Sequence, residues 1–210
     1  MKYICTRNRM ESVEASQAIA QGISASGGLF VPEELPKISH AELCAMQTMD
    51  YPQLAQHILA KFLTDFTSEE IKECTEAAYR ADKFSGGHPA PLVMLQNGDI
   101  TQYALELWHG PTCAFKDMAL QILPHLLVKS LAKTTPGKTA VILVATSGDT
   151  GKAALEGFKD VDGTRVLVFY PQNGVSPMQK RQMVTQEGGN VGVCAIEGNF
   201  DDAQTAVKGI

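Results

Sequence analysis

In the stretch His109-Gly110-Pro111-Thr112-Cys113-Ala114-Phe115-Lys116-Asp117-Met118-Ala119-Leu120, a Gly-Pro turn leads through a short apolar triplet to one lysine. The strand-like segment Tyr103 to Trp108 runs ahead of it, and a helical apolar pattern follows. Lys116 is therefore expected on the first turn of a helix. A lysine held between strand and helix has its stem packed and its amine aimed at one place. Partial desolvation of such an amine favours its neutral, nucleophilic form, as Schiff-base chemistry requires. Taken alone, the stretch also fits a surface lysine near a helix start.

The second stretch with chemical content is Thr146-Ser147-Gly148-Asp149-Thr150-Gly151-Lys152, directly after the apolar run Ala140 to Ala145. Small residues let a backbone approach an anion closely, and the free N–H groups of a following helix start would face it. Ser147 and Thr150 add hydroxyl donors, although an ordinary strand-to-helix turn has a similar composition. A nucleotide P-loop would need Gly at 146 and Ser or Thr after Lys152, where the chain has Thr146 and Ala153. The dinucleotide pattern G-x-G-x-x-G is absent as well. Asp149 has two readings: a carboxylate that stabilises a helix dipole, or a contact to a polar substituent on a cofactor. Cys113 lacks a His/Asn pairing beyond its neighbour His109 and reads as a small packing residue. The segments Tyr170 to Gly174 and Glu197 to Asn199 also close strands, as cleft walls or as plain connections.

These residues need a scaffold, and the second part of the chain has a regular one. Strands are expected over Thr139–Ala145, Arg165–Phe169 and Val191–Ile196, starting 26 residues apart. Helices are expected between them, over Thr150–Lys159 and Pro177–Glu187, with Ser176 as N-cap and Pro177 at the first helical position. That spacing suits β-α-β crossovers, and continuous apolar strands suit a parallel sheet covered on both faces. Ligands of such open sheets bind at the carboxyl ends of the strands. Before the lysine, Leu92–Gln96 and Ile100–Leu107 flank Asn97-Gly98 as a hairpin with a type I′ turn. Pro124 predicts a kink or restart in the helix after Lys116.

Residues 1–88 read as a mostly helical domain, and residues 89–210 as a partial catalytic domain, with Ser85 to Pro91 as the boundary. Ser12 is expected to cap a short helix ending near Gly22, and Leu29-Phe30-Val31 to form a strand stopped by Pro32. Tyr51–Leu63 has amphipathic helical spacing. Thr67 with Glu70 forms a capping-box pattern for a helix whose inner face includes Ile71, Cys74 and Ala78. Phe200, Ala203, Val207 and Ile210 carry a helical stripe to the last residue without a cap or Gly stop, which reads as a chain that continues.

The bulk numbers restrict the function classes. A chain of 210 residues, 44% hydrophobic and 20% charged, is an ordinary globular composition. A net charge of -5 argues against nucleic acid or an anionic membrane surface as partner, and leaves a small anion with local positive contacts. Five scattered cysteines without C-x-x-C suit reduced thiols in a cytoplasmic protein, with no metal site. The N-terminus has Arg7, Arg9 and Glu11 where a signal peptide needs an apolar core.

Taken together the motifs resemble the threonine synthases, a family of fold-type II pyridoxal-phosphate enzymes. His109-Gly110-Pro111-Thr112 with Ala114-Phe115-Lys116-Asp117 is similar to their lysine motif, and Thr146 to Gly151 to their substrate loop in its Asp-bearing form. Gly27 to Pro32 and Gly198 to Asp202 resemble further segments in the same order. The resemblance implies an α/β fold: a mostly helical N-terminal domain followed by a small open parallel sheet with helices on both faces. It implies pyridoxal 5′-phosphate bound through Lys116, with Phe115 and Asp149 beside the cofactor and Lys116 later shuttling protons. It implies that Thr146, Ser147, Gly148, Asp149 and Thr150 grip the substrate. The reaction implied converts O-phospho-L-homoserine and water to L-threonine and phosphate, with Lys152, Lys180 and Arg181 as candidates for the leaving phosphate.

The family's Gly-rich phosphate loop and the partner of the pyridine nitrogen have no match here, so an N-terminal fragment, inactive alone, is expected. Two other functions fit parts of the pattern. A serine/threonine dehydratase of the same fold type would release ammonia from threonine. A non-catalytic anion-binding module would give no cofactor adduct on Lys116 after borohydride reduction.

Overall fold

The computed structural model describes residues 1–210. The chain forms two compact units, Met1–Tyr79 with His125–Lys138 and Arg80–Pro124 with Thr139–Ile210. This division differs from a single boundary at 88/89, because a later helix returns to the first unit. No helix is long and apolar enough to cross a membrane.

The first unit opens with a small antiparallel sheet of β1 (Tyr3–Cys5), β2 (Ser12–Val13) and, after α1 (Ala15–Gln21), β3 (Phe30–Pro32), in the order β2-β1-β3. Ser12 does not cap α1: it pairs with Ile4 in the ladder, and the cap position falls to Glu14, whose side chain makes no capping bond. Pro32 does not stop β3 but ends it, opposite Tyr3. The helices α2 (His40–Met46), α3 (Tyr51–Phe62) and α4 (Ser68–Ala78) each begin with a complete capping box: Ser39 with Glu42, Asp50 with Gln53, and Thr67 with Glu70. These boxes satisfy N–H groups that the first helical turn leaves free. Ile71, Cys74 and Ala78 of α4 are buried as the periodicity predicts, and Tyr51 meets Tyr79 edge-to-face at 5.0 Å.

The second unit contains the hairpin of β4 (Leu92–Asn97) and β5 (Ile100–Leu105), followed by the short α5 (Asp117–Leu120). The hairpin is shifted by one residue from the predicted turn. Asn97 pairs with Ile100, so Gly98-Asp99 is the two-residue loop. Gly98 has φ +60° and Asp99 is not among the positive-φ residues, which matches a turn needing Gly at its first central position. After α5 the helix restarts as α6 (Leu123–Thr134), with Pro124 in its first turn, where a missing N–H costs nothing. Beyond Pro124, α6 belongs to the first unit, where Lys133 pairs with Glu70 at 2.9 Å and Lys129 pairs with Glu73.

The remainder alternates: β6 (Ala140–Ala145), α7 (Asp149–Phe158), β7 (Thr164–Pro171), α8 (Pro177–Val184), β8 (Val191–Ile196) and α9 (Phe200–Lys208). The three strands are parallel in the order β6-β7-β8, with helices covering both faces. Val166, Val168 and Tyr170 alternate inward along β7, and Val168 lies directly under Gly151 of α7. α9 ends at Lys208, with Gly209 as a C-cap whose N–H bonds Thr205 and Ala206 carbonyls. A Gly stop is thus present where the stripe suggested none, and Ile210 is exposed.

Candidate functional site

Lys116 is the residue immediately before α5, already in helical conformation at φ -58° and ψ -27°. Its carbonyl accepts from the Leu120 N–H at 2.9 Å and the Ala119 N–H at 3.2 Å. The side chain is partly buried. Its Nζ lies 4.7 Å from the ring centroid of Phe115, a cation–π contact, and enters no ion pair. Phe115 is itself 60% exposed, so ring and amine share one accessible surface.

The turn that delivers Lys116 is fixed from beneath by Asp117. This carboxylate is fully buried and accepts from the Thr112 N–H at 2.9 Å and the Thr112 hydroxyl at 2.8 Å. Burial holds the Asp117 carboxyl above the usual carboxylate range, against the two Thr112 bonds that favour its charged form. Gly110 lies so close that a Cβ there would overlap the Asp117 carboxylate. Cys113 has φ +58° and is exposed. It forms the corner of the turn and does not fill a core, contrary to the packing role read from its type. His109 pairs with Glu106 at 2.7 Å and stacks on Trp108 at 5.7 Å. His109 also accepts from the Ser85 N–H at 2.7 Å, which anchors the start of the motif.

The 146–150 loop lies at the carboxyl end of β6, where ligands of open parallel sheets bind. Gly148 caps α7 with φ +153°, a backbone conformation that side chains rarely adopt. Thr146 is buried, and its hydroxyl accepts from the Gly148 N–H at 3.0 Å and the Gly151 N–H at 2.9 Å. It holds the loop in shape from inside and does not present its hydroxyl to a ligand. Ser147, Asp149 and Thr150 are exposed. No acceptor within the chain takes their N–H groups, leaving them directed from a helix start as an anion site requires.

Both candidate stretches belong to the same compact unit. No hydrogen bond or ion pair joins Lys116 to the loop; their helices do so through backbone contact. Gly157 of α7 sits against the Leu120 carbonyl of α5 with no room for a Cβ. The three cationic candidates for a leaving phosphate divide. Lys152 is turned to Glu156 at 3.3 Å and to Gln186, whereas Lys180 and Arg181 are exposed on α8.

The residue missed by sequence reasoning is Gln179. Its amide donates to Asp149 Oδ1 at 2.9 Å and completes a capping box with Ser176 at the start of α8. The signal was available as Ser176-x-x-Gln179, three residues apart, but nothing in the sequence linked it to Asp149. The Thr112–Asp117 anchor had no signal, since an aspartate beside a lysine reads as a solvated pair.

Fold and site together define an α/β protein with a placed lysine and a small-residue loop with free N–H groups on one sheet unit. Residues 2–79 match the family described as the threonine synthase N terminus. Over 209 residues the chain is 41% identical to a threonine synthase of Pseudomonas aeruginosa, covering 99% of this chain and 43% of that one. The crystal structure of the PLP-bound threonine synthase from Brucella melitensis superposes with a TM-score of 0.89 at 37% identity, over 100% of this chain and 44% of that one. The yeast threonine synthase superposes equally well, at 0.89 and 32% identity, over 99% and 42%. The chain is similar to the threonine synthases along its length, matches the family of their N terminus over residues 2–79, and spans under half the length of these relatives.

Proposed function

We propose that this chain supplies the lysine-bearing part of a pyridoxal 5′-phosphate site in a protein that converts O-phospho-L-homoserine and water to L-threonine and phosphate. The observation that carries the reading is the pairing of a free, half-buried Lys116 with an anion-ready loop on one unit, in a chain similar throughout to a PLP-bound threonine synthase. The residues present fit the group: Lys116 has no carboxylate partner to hold it back, and three loop N–H groups await an anion. When bound, pyridoxal phosphate supplies the electron sink that lets protons leave an amino acid's carbon skeleton.

The chain's own residues then have separable tasks. Lys116 would hold the cofactor through its amine, and the same amine would carry a proton at the substrate Cα. Phe115 lies over its amine and limits the directions from which water reaches it. The N–H groups of Ser147 and Thr150, with their hydroxyls, bind a carboxylate or phosphate, and Thr146 keeps them oriented from below. Asp149 stands at the same helix start as a fixed negative charge, suited to a polar group of the cofactor. Five free cysteines fit a reducing, cytoplasmic setting.

The test is borohydride reduction after addition of pyridoxal phosphate, followed by peptide mass spectrometry. An adduct on Lys116, absent in Lys116→Ala, is expected. No adduct, or one shared among surface lysines, overturns the reading. The 210-residue chain is expected to hold the cofactor weakly and to release no phosphate from O-phospho-L-homoserine. Full turnover by these residues alone would refute that part.

A further inference from the structure

We propose that Gln179 is a positioning residue for the 146–150 loop, fixing the direction of the Asp149 carboxylate and the shape of the backbone around Gly148. The inference rests on the proposed cofactor site only for its functional consequence; the geometry stands separately. Gln179 Oε1 accepts from the Ser176 N–H at 3.2 Å, and the Ser176 hydroxyl accepts from the Gln179 N–H at 3.2 Å. With its oxygen committed to Ser176, the planar carboxamide has one orientation, and Nε2 is left to donate to Asp149 Oδ1 at 2.9 Å. The same carboxamide lies across Gly148, where a Cβ would overlap it. One side chain at the start of α8 therefore holds both the charge and the backbone at the start of α7.

This arrangement explains why the loop needs glycine at 148 beyond its positive φ: any side chain would displace the amide that orients Asp149. It also gives Asp149 a role that a dipole partner does not need. A carboxylate kept only for the helix dipole works in many rotamers, whereas one held by a side-chain amide is aimed, with its second oxygen open to a ligand.

Gln179→Glu separates positioning from helix capping. Glu serves a capping box as well as Gln does, so α8 keeps its start, but the donor to Asp149 becomes a second carboxylate. Loss of one charged hydrogen bond predicts about tenfold faster hydrogen exchange at the Gly148 and Gly151 amides, with α8 unchanged. Pyridoxal-phosphate affinity is expected to fall by a similar factor, and the absorbance of the lysine-bound cofactor to change its pH response. Combining Q179E with D149N restores a donor–acceptor pair and should return Gly148 and Gly151 protection. Loop exchange in Q179E equal to that of the parent overturns the inference. If the parent forms no Lys116 adduct, the functional reading fails, and the exchange comparison still decides the role of Gln179.

Discussion

The backbone of Gly157 in α7 lies against the carbonyl oxygen of Leu120 in α5, too close for any side chain at residue 157. This contact ties the helix that follows Lys116 to the helix that follows the 146–150 loop. The obstacle is backbone, which cannot rotate away as a flexible side chain would. Gly157→Ala should therefore cost about 1–3 kcal/mol through overpacking, although alanine favours helix over glycine. Urea unfolding measures it: a lower midpoint with an unchanged slope is expected, and a more stable G157A protein would show that the helices are not held there.

The buried Asp117 predicts a pH-dependent stability of definite sign. Burial raises its carboxyl above the ordinary 3.8, and nearby Glu156 adds to the rise. The folded state thus binds this proton more tightly than the unfolded one. Its contribution is most favourable below that ordinary value and declines as pH rises through the raised folded value. Asp117→Asn should flatten this decline in thermal-unfolding scans across the acid range. Asp117→Ala should lose about 1–3 kcal/mol at neutral pH, because the buried Thr112 donors lose their acceptor.

How much of this was legible in the sequence follows from which interactions are local. The three parallel strands were readable as continuous apolar runs, although only β7 is largely buried and β6 and β8 keep half-buried and exposed positions, and their equal spacing is set by the crossover length. The capping box at Thr67 was readable because it lies within four residues. The hairpin turn slipped by one because Asn97-Gly98 and Gly98-Asp99 both have turn chemistry, and only the cross-strand pairing chooses between them. The return of α6 to the first unit was hidden, since its pairs with Glu70 and Glu73 connect residues some sixty apart. The resemblance put Thr146 among the residues gripping the substrate; only the fold shows its hydroxyl taken by its own loop. Gln179 was hidden for the same reason as α6: its partner Asp149 is 30 residues away.

The cysteines give a direct check on burial. Cys44, Cys113 and Cys194 are exposed, whereas Cys5 and Cys74 are buried. Burial also pushes the Cys74 thiol up to about 11, so it stays protonated and poorly nucleophilic at about pH 8. An aromatic disulfide reagent should modify three thiols rapidly in the native protein and the other two only on unfolding. Labelling of Cys74 in the native state would contradict the packing of α4.

Thr146 offers the sharpest separation between holding a loop and touching a ligand. Its hydroxyl accepts from two N–H groups, at Gly148 and Gly151, in a site closed to solvent. Thr146→Val keeps the shape of the side chain and removes the acceptor, leaving the Gly148 N–H buried and unpaired and the Gly151 N–H with only the Gly148 carbonyl at 3.1 Å. The orphaned Gly148 donor costs about 1–3 kcal/mol, so this variant should lose more stability than removal of an exposed hydroxyl at Ser147 or Thr150. Thr146→Ser keeps the oxygen and should retain most of the stability, losing only the methyl that packs against Gly151. Ser147→Ala and Thr150→Val should show the opposite pattern, with parental stability and weaker binding of pyridoxal phosphate or inorganic phosphate. Thermal unfolding paired with ligand titration on the four variants reads both effects. If Thr146→Val kept full stability and lost only ligand affinity, its hydroxyl would belong to the binding surface and the loop would need another support.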